Sequence, residues 1–304
     1  MKKVVVLGGG GLMGHGMALA CLRHPGTEVV LVSRRQETLD HGSALIRTGR
    51  YGIERGVERG KITREAADDM LGRLTATLYY AEAMAGADLI FESVPEVLDR
   101  KLEVLEQAER EAPPGAIIAS GTSSIMISEL AGALADPGRL VGTHWFYPAN
   151  VMPLIELARG QLTRDETVSA LTAFLMNIGK KPVVVRDSPG FFMTRFINLY
   201  IAEAIRLVEL GVAGPAEIDE MVKTGLGWPM GVFELLDDTA SFDSWYHAQE
   251  YLHETCGERY AVPPLARQVF AAGYRGAPGL KPGSRGGWYD FLGAARPGGE
   301  ERGH

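Results

Sequence analysis

Cysteine is nearly absent: the 304 residues hold two, Cys21 and Cys256, far apart in the chain. That argues against a disulfide framework and suits a reducing compartment, so a cytoplasmic protein is expected. Long hydrophobic runs are missing as well. No stretch approaches the roughly 20 apolar residues that a membrane span needs. Met1-Lys2-Lys3 leads straight into a strand pattern, so neither a signal peptide nor a membrane partner is expected. Positive charge is in deficit, with a formal net charge of -7, which argues against nucleic acid as a partner. No long-period repeat signals a solenoid, and no ligand grouping points to a metal. What remains is ordinary for a soluble enzyme: 46% hydrophobic, 23% charged, and long enough for two domains.

The first informative stretch follows the strand pattern Lys3-Val-Val-Val-Leu-Gly8. It runs Gly9-Gly10-Gly11-Leu12-Met13-Gly14 and then turns helical through Leu22. This is G-x-G-x-x-G in a strand–turn–helix setting. Gly9 is read as the tight turn, Gly11 as the backbone approach to a pyrophosphate, and Gly14 as close helix packing. Leu12 and Met13 lie at the helix start, where unpaired N–H groups and the helix dipole favour phosphate. A dinucleotide is the expected cofactor. A second strand pattern, Thr27–Val32, ends at Ser33-Arg34-Arg35. An acidic residue there would take the ribose hydroxyls of NAD; a serine with two arginines suits the 2′-phosphate of NADP. NADP is therefore expected, with NAD the alternative if the arginines only face solvent.

Residues 36–74 read as a helical arm rich in Arg47, Arg50, Arg55, Arg59, Lys61 and Arg64. This local excess could meet a phosphorylated ligand or simply form a solvated face. Gly52, Gly56 and Gly60 recur within it, each costing a helix about 1 kcal/mol against alanine, so a loosely held flap is expected. Strand and helix then alternate: strand Ala87–Phe91, helix Leu98–Glu111, strand Gly115–Ser120, helix Thr167–Gly179, strand Lys181–Val185. Glu92, Glu96 and Lys101 follow one strand end and Ser123 the next, where such sheets bind ligands. Asp187-Ser-Pro-Gly190 breaks the pattern. Beyond it Phe191–Leu210, Pro215–Thr224 and Phe233–His253 read as helices. The chain is thus expected to be α/β, a Rossmann-type doubly wound and mostly parallel sheet followed by an all-α domain. The boundaries are 1–186 for a dinucleotide-binding domain with its arm at about 36–74, 187–293 for a helical substrate and dimerisation domain, and 294–304 for a polar, disordered tail.

Chemistry is read from Gly142-Thr-His144 and Met152-Pro-Leu-Ile-Glu156, two short apolar runs that deliver an imidazole and a carboxylate. A carboxylate that holds a neutral imidazole in one tautomer, and stabilises the imidazolium, makes a general base. A structural histidine is the plain alternative, and the dinucleotide loop weighs against it.

Taken together these stretches resemble the L-3-hydroxyacyl-CoA dehydrogenase family. The likeness rests on Gly9–Gly14, Glu92-Ser-Val-Pro-Glu96, Ala119-Ser-Gly-Thr-Ser-Ser124, Gly142-Thr-His144 with Pro148 and Glu156, Asp187–Phe191, Gly227-Trp-Pro-Met-Gly231 and Gly287-Trp-Tyr289. These span nearly the whole chain in order. The resemblance implies hydride exchange between a nicotinamide cofactor and a 3-hydroxyacyl thioester such as an acyl-CoA, in a homodimer. It implies His144 as the base, Glu156 as its orienting carboxylate, and Ser123 beside the substrate oxygen and the nicotinamide. Glu96, Lys101 and Tyr147 fall at cofactor positions and Thr194 at a substrate position; Arg50 and Arg55 are substrate candidates only through the basic excess of the arm. Members usually carry asparagine where this chain has Gly121, Tyr147 and Thr194, so the acyl group stays open. A dehydrogenase of a free hydroxy acid, like the carnitine and gulonate enzymes, and a catalytically idle relative like the lens crystallins are the alternatives.

Overall fold

The structure, a computed structural model, describes residues 1–277, 279, 281 and 283–296. The chain divides into two compact units, Met1–Phe191 and Phe192–His304.

The first unit is built on β1 (Lys3–Leu7), β2 (Glu28–Val32), β3 (Leu74–Thr77), β4 (Leu89–Glu92), β5 (Ile117–Ser120), β6 (Leu140–Trp145), β7 (Leu154–Arg159) and β8 (Lys181–Arg186). They form one eight-stranded sheet in the order β3-β2-β1-β4-β5-β6-β7-β8. All neighbours run parallel except β6 and β7. The order reverses between β1 and β4, where doubly wound sheets open a crevice at their carboxyl ends. Around the sheet lie α1 (Gly14–Leu22), α2 (Gln36–Thr48), α3 (Ile53–Glu58), α4 (Arg64–Gly72), α5 (Tyr80–Met84), α6 (Leu98–Glu111), α7 (Ile127–Leu130) and α8 (Asp165–Asn177).

The strand alternation explains the two layers. Val4 and Val6 of β1 enter a core with Leu19, Leu22 and Leu171. Val5 and Leu7 point the other way, to Leu105 and Ala108 of α6. A strand buried on both faces must be apolar throughout, and β1 is.

The arm departs from its reading in two ways. It is helical as three helices, but its last expected residue, Leu74, opens β3, which the helical pattern hid. Two of its recurring glycines bound a helix and the third, Gly56 within α3, is needed for close packing, so none loosens the arm. Gly52 is the extended N-cap of α3, Gly60 takes φ +66° beyond it, and a Cβ on Gly56 would strike Ile62 Cδ1 at 2.5 Å. Leu39, Ile46, Ile53, Ala67 and Met70 anchor the arm in the core, so it is not loosely held.

The second unit holds α9 (Met193–Glu209), α10 (Pro215–Leu226), α11 (Val232–Asp238), α12 (Phe242–Cys256), α13 (Pro264–Ala271) and α14 (Trp288–Leu292). Its core centres on Phe233, Phe242, Trp245, Trp288 and Tyr289. The helix expected over 233–253 is broken: Ala240 adopts φ +49° and Ser241 N returns to Leu236 O, so α11 closes before α12 begins. The tail expectation for 294–304 lies, from residue 297 on, outside the described residues.

Candidate active site

The glycine loop follows β1. Gly8 N and Gly9 N both donate to Val32 O of β2, and Gly11 N to Gly8 O at 2.9 Å. That last bond closes a tight turn with Gly9 and Gly10 at its centre, and Gly8, which opens it, takes φ +77°. Gly9 is also needed for packing, because a Cβ there would lie 2.8 Å from Leu31 Cδ2. Gly14 meets Gly8 O at 2.3 Å in the same test, which is close helix-to-strand packing. Gly10 and Gly42 were missed by the motif. A Cβ on Gly10 would fall 2.0 Å from Thr38 O and one on Gly42 2.5 Å from Gly10 Cα, so α2 rests directly on the loop. Gly11 differs from these. Its Cβ would meet only Gly8 O, at 3.2 Å, leaving its outer side open. Leu12 is exposed and Met13 is the N-cap of α1. First-turn N–H groups lack helical acceptors, so this open backbone suits a pyrophosphate.

At the end of β2, Ser33 is buried while Arg34 and Arg35 are exposed. Arg35 is the N-cap position of α2. Arg34 lies close enough to Tyr80 to oppose the upward push that burial gives that phenol.

His144 sits next to last in β6, and the antiparallel register places it opposite Glu156 of β7. His144 Nδ1 and Glu156 Oε2 are 2.6 Å apart, and the residues are only 7% and 2% exposed. A carboxylate can only accept, so Nδ1 carries the proton and Nε2 is left for exchange. The rings of Phe146 and Phe191, centred 4.5 and 6.3 Å away, hold the imidazole in apolar surroundings.

Ser123 lies on the turn after β5, and Glu96 clamps that turn. Glu96 Oε1 accepts from Thr122 Oγ1 at 2.6 Å and from Ser123 N, Ser124 N and Ser124 Oγ at 2.9 Å each. Burial works against this carboxylate, yet Lys101 and the Thr122, Ser124 and Ser123 donors hold it below its ordinary range. Lys101 is 1% exposed, with Nζ 2.8 Å from Glu92 Oε1 and 3.3 Å from Glu96 Oε2. Expected at the cofactor, it instead supports Glu96 from beneath, because burying an ammonium requires paired charge around it. Glu92, fully buried and also accepting from Ser120 Oγ, is the member of this network whose partners the sequence left unnamed.

Tyr147 is half-buried on the turn after β6. Burial and nearby Tyr51 raise its phenol, and Arg50 opposes them. Arg50 itself lies over the Tyr51 ring, 5.5 Å from its centre. Arg55 joins none of these; it makes an exposed pair with Glu58 at 2.7 Å. Thr194 is buried on α9 of the second unit. Gly121 offers no pocket space, since a Cβ there would lie 2.6 Å from Glu92 O. Among the described residues no three acidic, histidine or cysteine side chains could share a metal ion, and no helix is long and apolar enough to cross a membrane.

Residues 3–188 match the family model of the 3-hydroxyacyl-CoA dehydrogenase NAD binding domain, and residues 190–285 that of the C-terminal domain. A probable 3-hydroxybutyryl-CoA dehydrogenase of Deinococcus radiodurans is 35% identical over 269 residues, 88% of this chain and 94% of that one. Its Bacillus subtilis counterpart is 33% identical over 290 residues, 95% and 97% of the two chains. The crystal structure of an (S)-3-hydroxybutyryl-CoA dehydrogenase from Ralstonia eutropha superposes with a TM-score of 0.83 at 34% identity, covering 91% of this chain and 95% of that one. With both domain models matched in order along the chain, the protein belongs to the 3-hydroxyacyl-CoA dehydrogenase family of nicotinamide-dependent oxidoreductases.

Proposed function

We propose that the enzyme exchanges hydride between NADP and a 3-hydroxyacyl or 3-ketoacyl thioester, with acyl-CoA as the carrier, as a cytoplasmic homodimer. The observation that carries this reading is the buried His144–Glu156 pair at 2.6 Å. In oxidation His144 Nε2 takes the C3 hydroxyl proton, and Glu156 stabilises the imidazolium. In the reverse direction the imidazolium returns that proton. Ser123 donates to the C3 oxygen from a turn held by Glu96. When bound, the nicotinamide supplies the hydride chemistry.

Residues 1–186 would hold the cofactor: Gly9, Gly11, Leu12, Met13 and Gly14 at the pyrophosphate, Ser33, Arg34 and Arg35 at the 2′-phosphate, Glu96, Lys101, Ser123 and Tyr147 toward the nicotinamide, with Lys101 acting through Glu96. The open side of Gly11 fits this assignment, and so does the absence of an acidic side chain at position 33. Residues 187–293 would serve substrate and partner through Thr194, and Arg50 and Arg55 of the arm would address the thioester's phosphates. NAD remains the alternative cofactor. Tyr147 and Thr194, standing where the family usually has asparagine, favour a second reading in which the substrate is a free hydroxy acid. A spectrophotometric screen of NADH and NADPH against 3-ketoacyl-CoAs and free keto acids tests both. Turnover of acetoacetyl-CoA or a longer homologue is expected, and turnover of free acids alone would replace the thioester reading by the second one.

A further inference from the structure

One buried charge plays no part in the chemistry above. Lys180 follows Gly179, the turn with φ +79° after α8, and leads into β8. The residue is only 5% exposed. Its Nζ donates to Ala149 O at 2.6 Å and Met152 O at 2.7 Å, and it lies over the Trp145 ring, 5.4 Å from the centre. The titratable and charged groups that face it are Arg23 and Cys21. Neither is an anion at neutral pH, since burial pushes the Cys21 thiol up to about 12. Burial pushes Lys180 itself down to about 8. An ammonium desolvated without a carboxylate is costly, and an apolar side chain would fill the space more cheaply.

What the charge holds is a single segment. Ala149 and Met152 belong to the connection between β6 and β7, and Trp145 is the last residue of β6 before it, all within the chain that joins His144 to Glu156. Val151 N and Met152 N return to Pro148 O at 2.9 Å, Asn150 Nδ2 reaches Tyr51 O at 3.3 Å, and Ala149 packs 3.0 Å from where a Cβ on Gly16 would stand. In an antiparallel pair the connection sets the register, and a slip of one residue would turn Glu156 to the opposite face from His144. Two carbonyls of that connection are fixed by one side chain from outside it.

We propose that Lys180 is a positioning residue for the hydride-transfer site, its ammonium pinning the β6–β7 connection so that the His144–Glu156 hydrogen bond keeps its alignment. The proposal rests on His144 being the base. Misplacing a catalytic group by a fraction of an ångström lowers turnover without touching substrate binding.

The test compares wild type with Lys180→Met and Lys180→Arg in full-length protein, using acetoacetyl-CoA and NADPH. Lys180→Met is expected to keep its circular dichroism and its Kd for NADPH while kcat falls about tenfold and KM for the thioester changes less than about twofold. The downfield proton resonance of His144 Nδ1–H, identified by its loss in His144→Gln, should broaden or shift in Lys180→Met. Lys180→Arg, whose guanidinium can donate to the same carbonyls, should recover the resonance and most of kcat. If Lys180→Met does not fold, Lys180→Gln carries the same readouts. Wild-type kcat with an unaltered resonance overturns the proposal, as does a loss of activity that merely tracks loss of NADPH binding. A His144→Gln enzyme with wild-type turnover would refute the base assignment instead, and the resonance would still report whether Lys180 aligns the pair.

Discussion

At His144 the sequence distance of twelve residues to Glu156 collapses to a 2.6 Å hydrogen bond because a short antiparallel connection folds one strand back on the other. The expected cost of removing the imidazole follows from its role. His144→Gln should lower kcat by about 10²–10⁴-fold, the range for general acid–base help, with cofactor Kd near wild type. Glu156→Gln should cost less and shift the pH profile, since the imidazolium loses its charged partner. Steady-state kinetics from pH 5 to 9 check both. The cofactor prediction lies at Ser33 and Arg34. A 2′-phosphate facing exposed guanidinium groups gains affinity that salt screens, and a net difference of about 2.8 kcal/mol would give roughly a hundredfold preference. The wild type should favour NADPH over NADH in kcat/KM, and Ser33→Asp with Arg34→Gln should erase or reverse that ratio. A tenfold wild-type preference for NADH would leave the arginines as surface charges. The motif in the sequence pointed to the right loop but was silent on Gly8 and Gly10. G-x-G-x-x-G names spacings, whereas φ at Gly8 and the clash at Gly10 depend on β2 and α2, which only the fold brings near.

Elements were legible where one periodicity ran without competition. The helix over Leu98–Glu111 and the strand at Lys181 were read with their ends nearly in place. β3 was missed because Leu74–Thr77 is a four-residue edge strand, its Leu-Thr-Ala-Thr alternation too short to stand out from the helical pattern that leads into it. The break between α11 and α12 was missed for a different reason: it turns on the positive φ of Ala240, which no glycine or proline announces, and next to it Asp237 serves another helix. It accepts from Trp288 N at 2.8 Å and Tyr289 N at 3.3 Å, capping α14 across 51 and 52 residues of sequence. Asp237 is fully buried, and burial raises its carboxyl to about 6 from 3.8, against the Trp288 and Tyr289 donors and Arg296. The sign follows directly. A group whose folded pKa is raised binds protons more tightly in the folded state, so its contribution is present below about pH 4 and is lost as pH rises through 6. The size of that loss is at most about 3 kcal/mol. Asp237→Asn keeps the shape and one acceptor but cannot titrate. Calorimetry at pH 4.5 and 7.0 should show a smaller difference in Tm between the two pH values for Asp237→Asn than for wild type. An unchanged difference would assign the pH dependence to other groups.

The whole molecule poses a question its own core does not answer. The helical unit leaves large apolar side chains in solvent: Phe192 60% and Phe196 53% exposed and stacked 5.7 Å apart, then Leu210 76%, Val212 66%, Met221 56% and Leu226 61%. They lie along α9, α10 and the turn between them, while the charged residues of the chain give it a net -7. Scattered apolar residues are ordinary on a monomer, but a run along two consecutive helices is more than a soluble surface usually carries. Two copies meeting through one such face form a closed two-fold contact, in which each helix covers its own equivalent and no edge is left to propagate. Sedimentation equilibrium at micromolar concentration should therefore give about twice the 32.9 kDa chain mass. Phe196→Glu would bury a carboxylate in that contact, and its dimer Kd should rise at least about a hundredfold, since an unpaired buried charge costs several kcal/mol. Circular dichroism of the variant should match wild type, because Phe196 is more than half exposed in the single chain. A wild-type monomer at these concentrations would assign the exposed face to some other partner, and a Phe196→Glu protein as dimeric as wild type would move the contact away from α9.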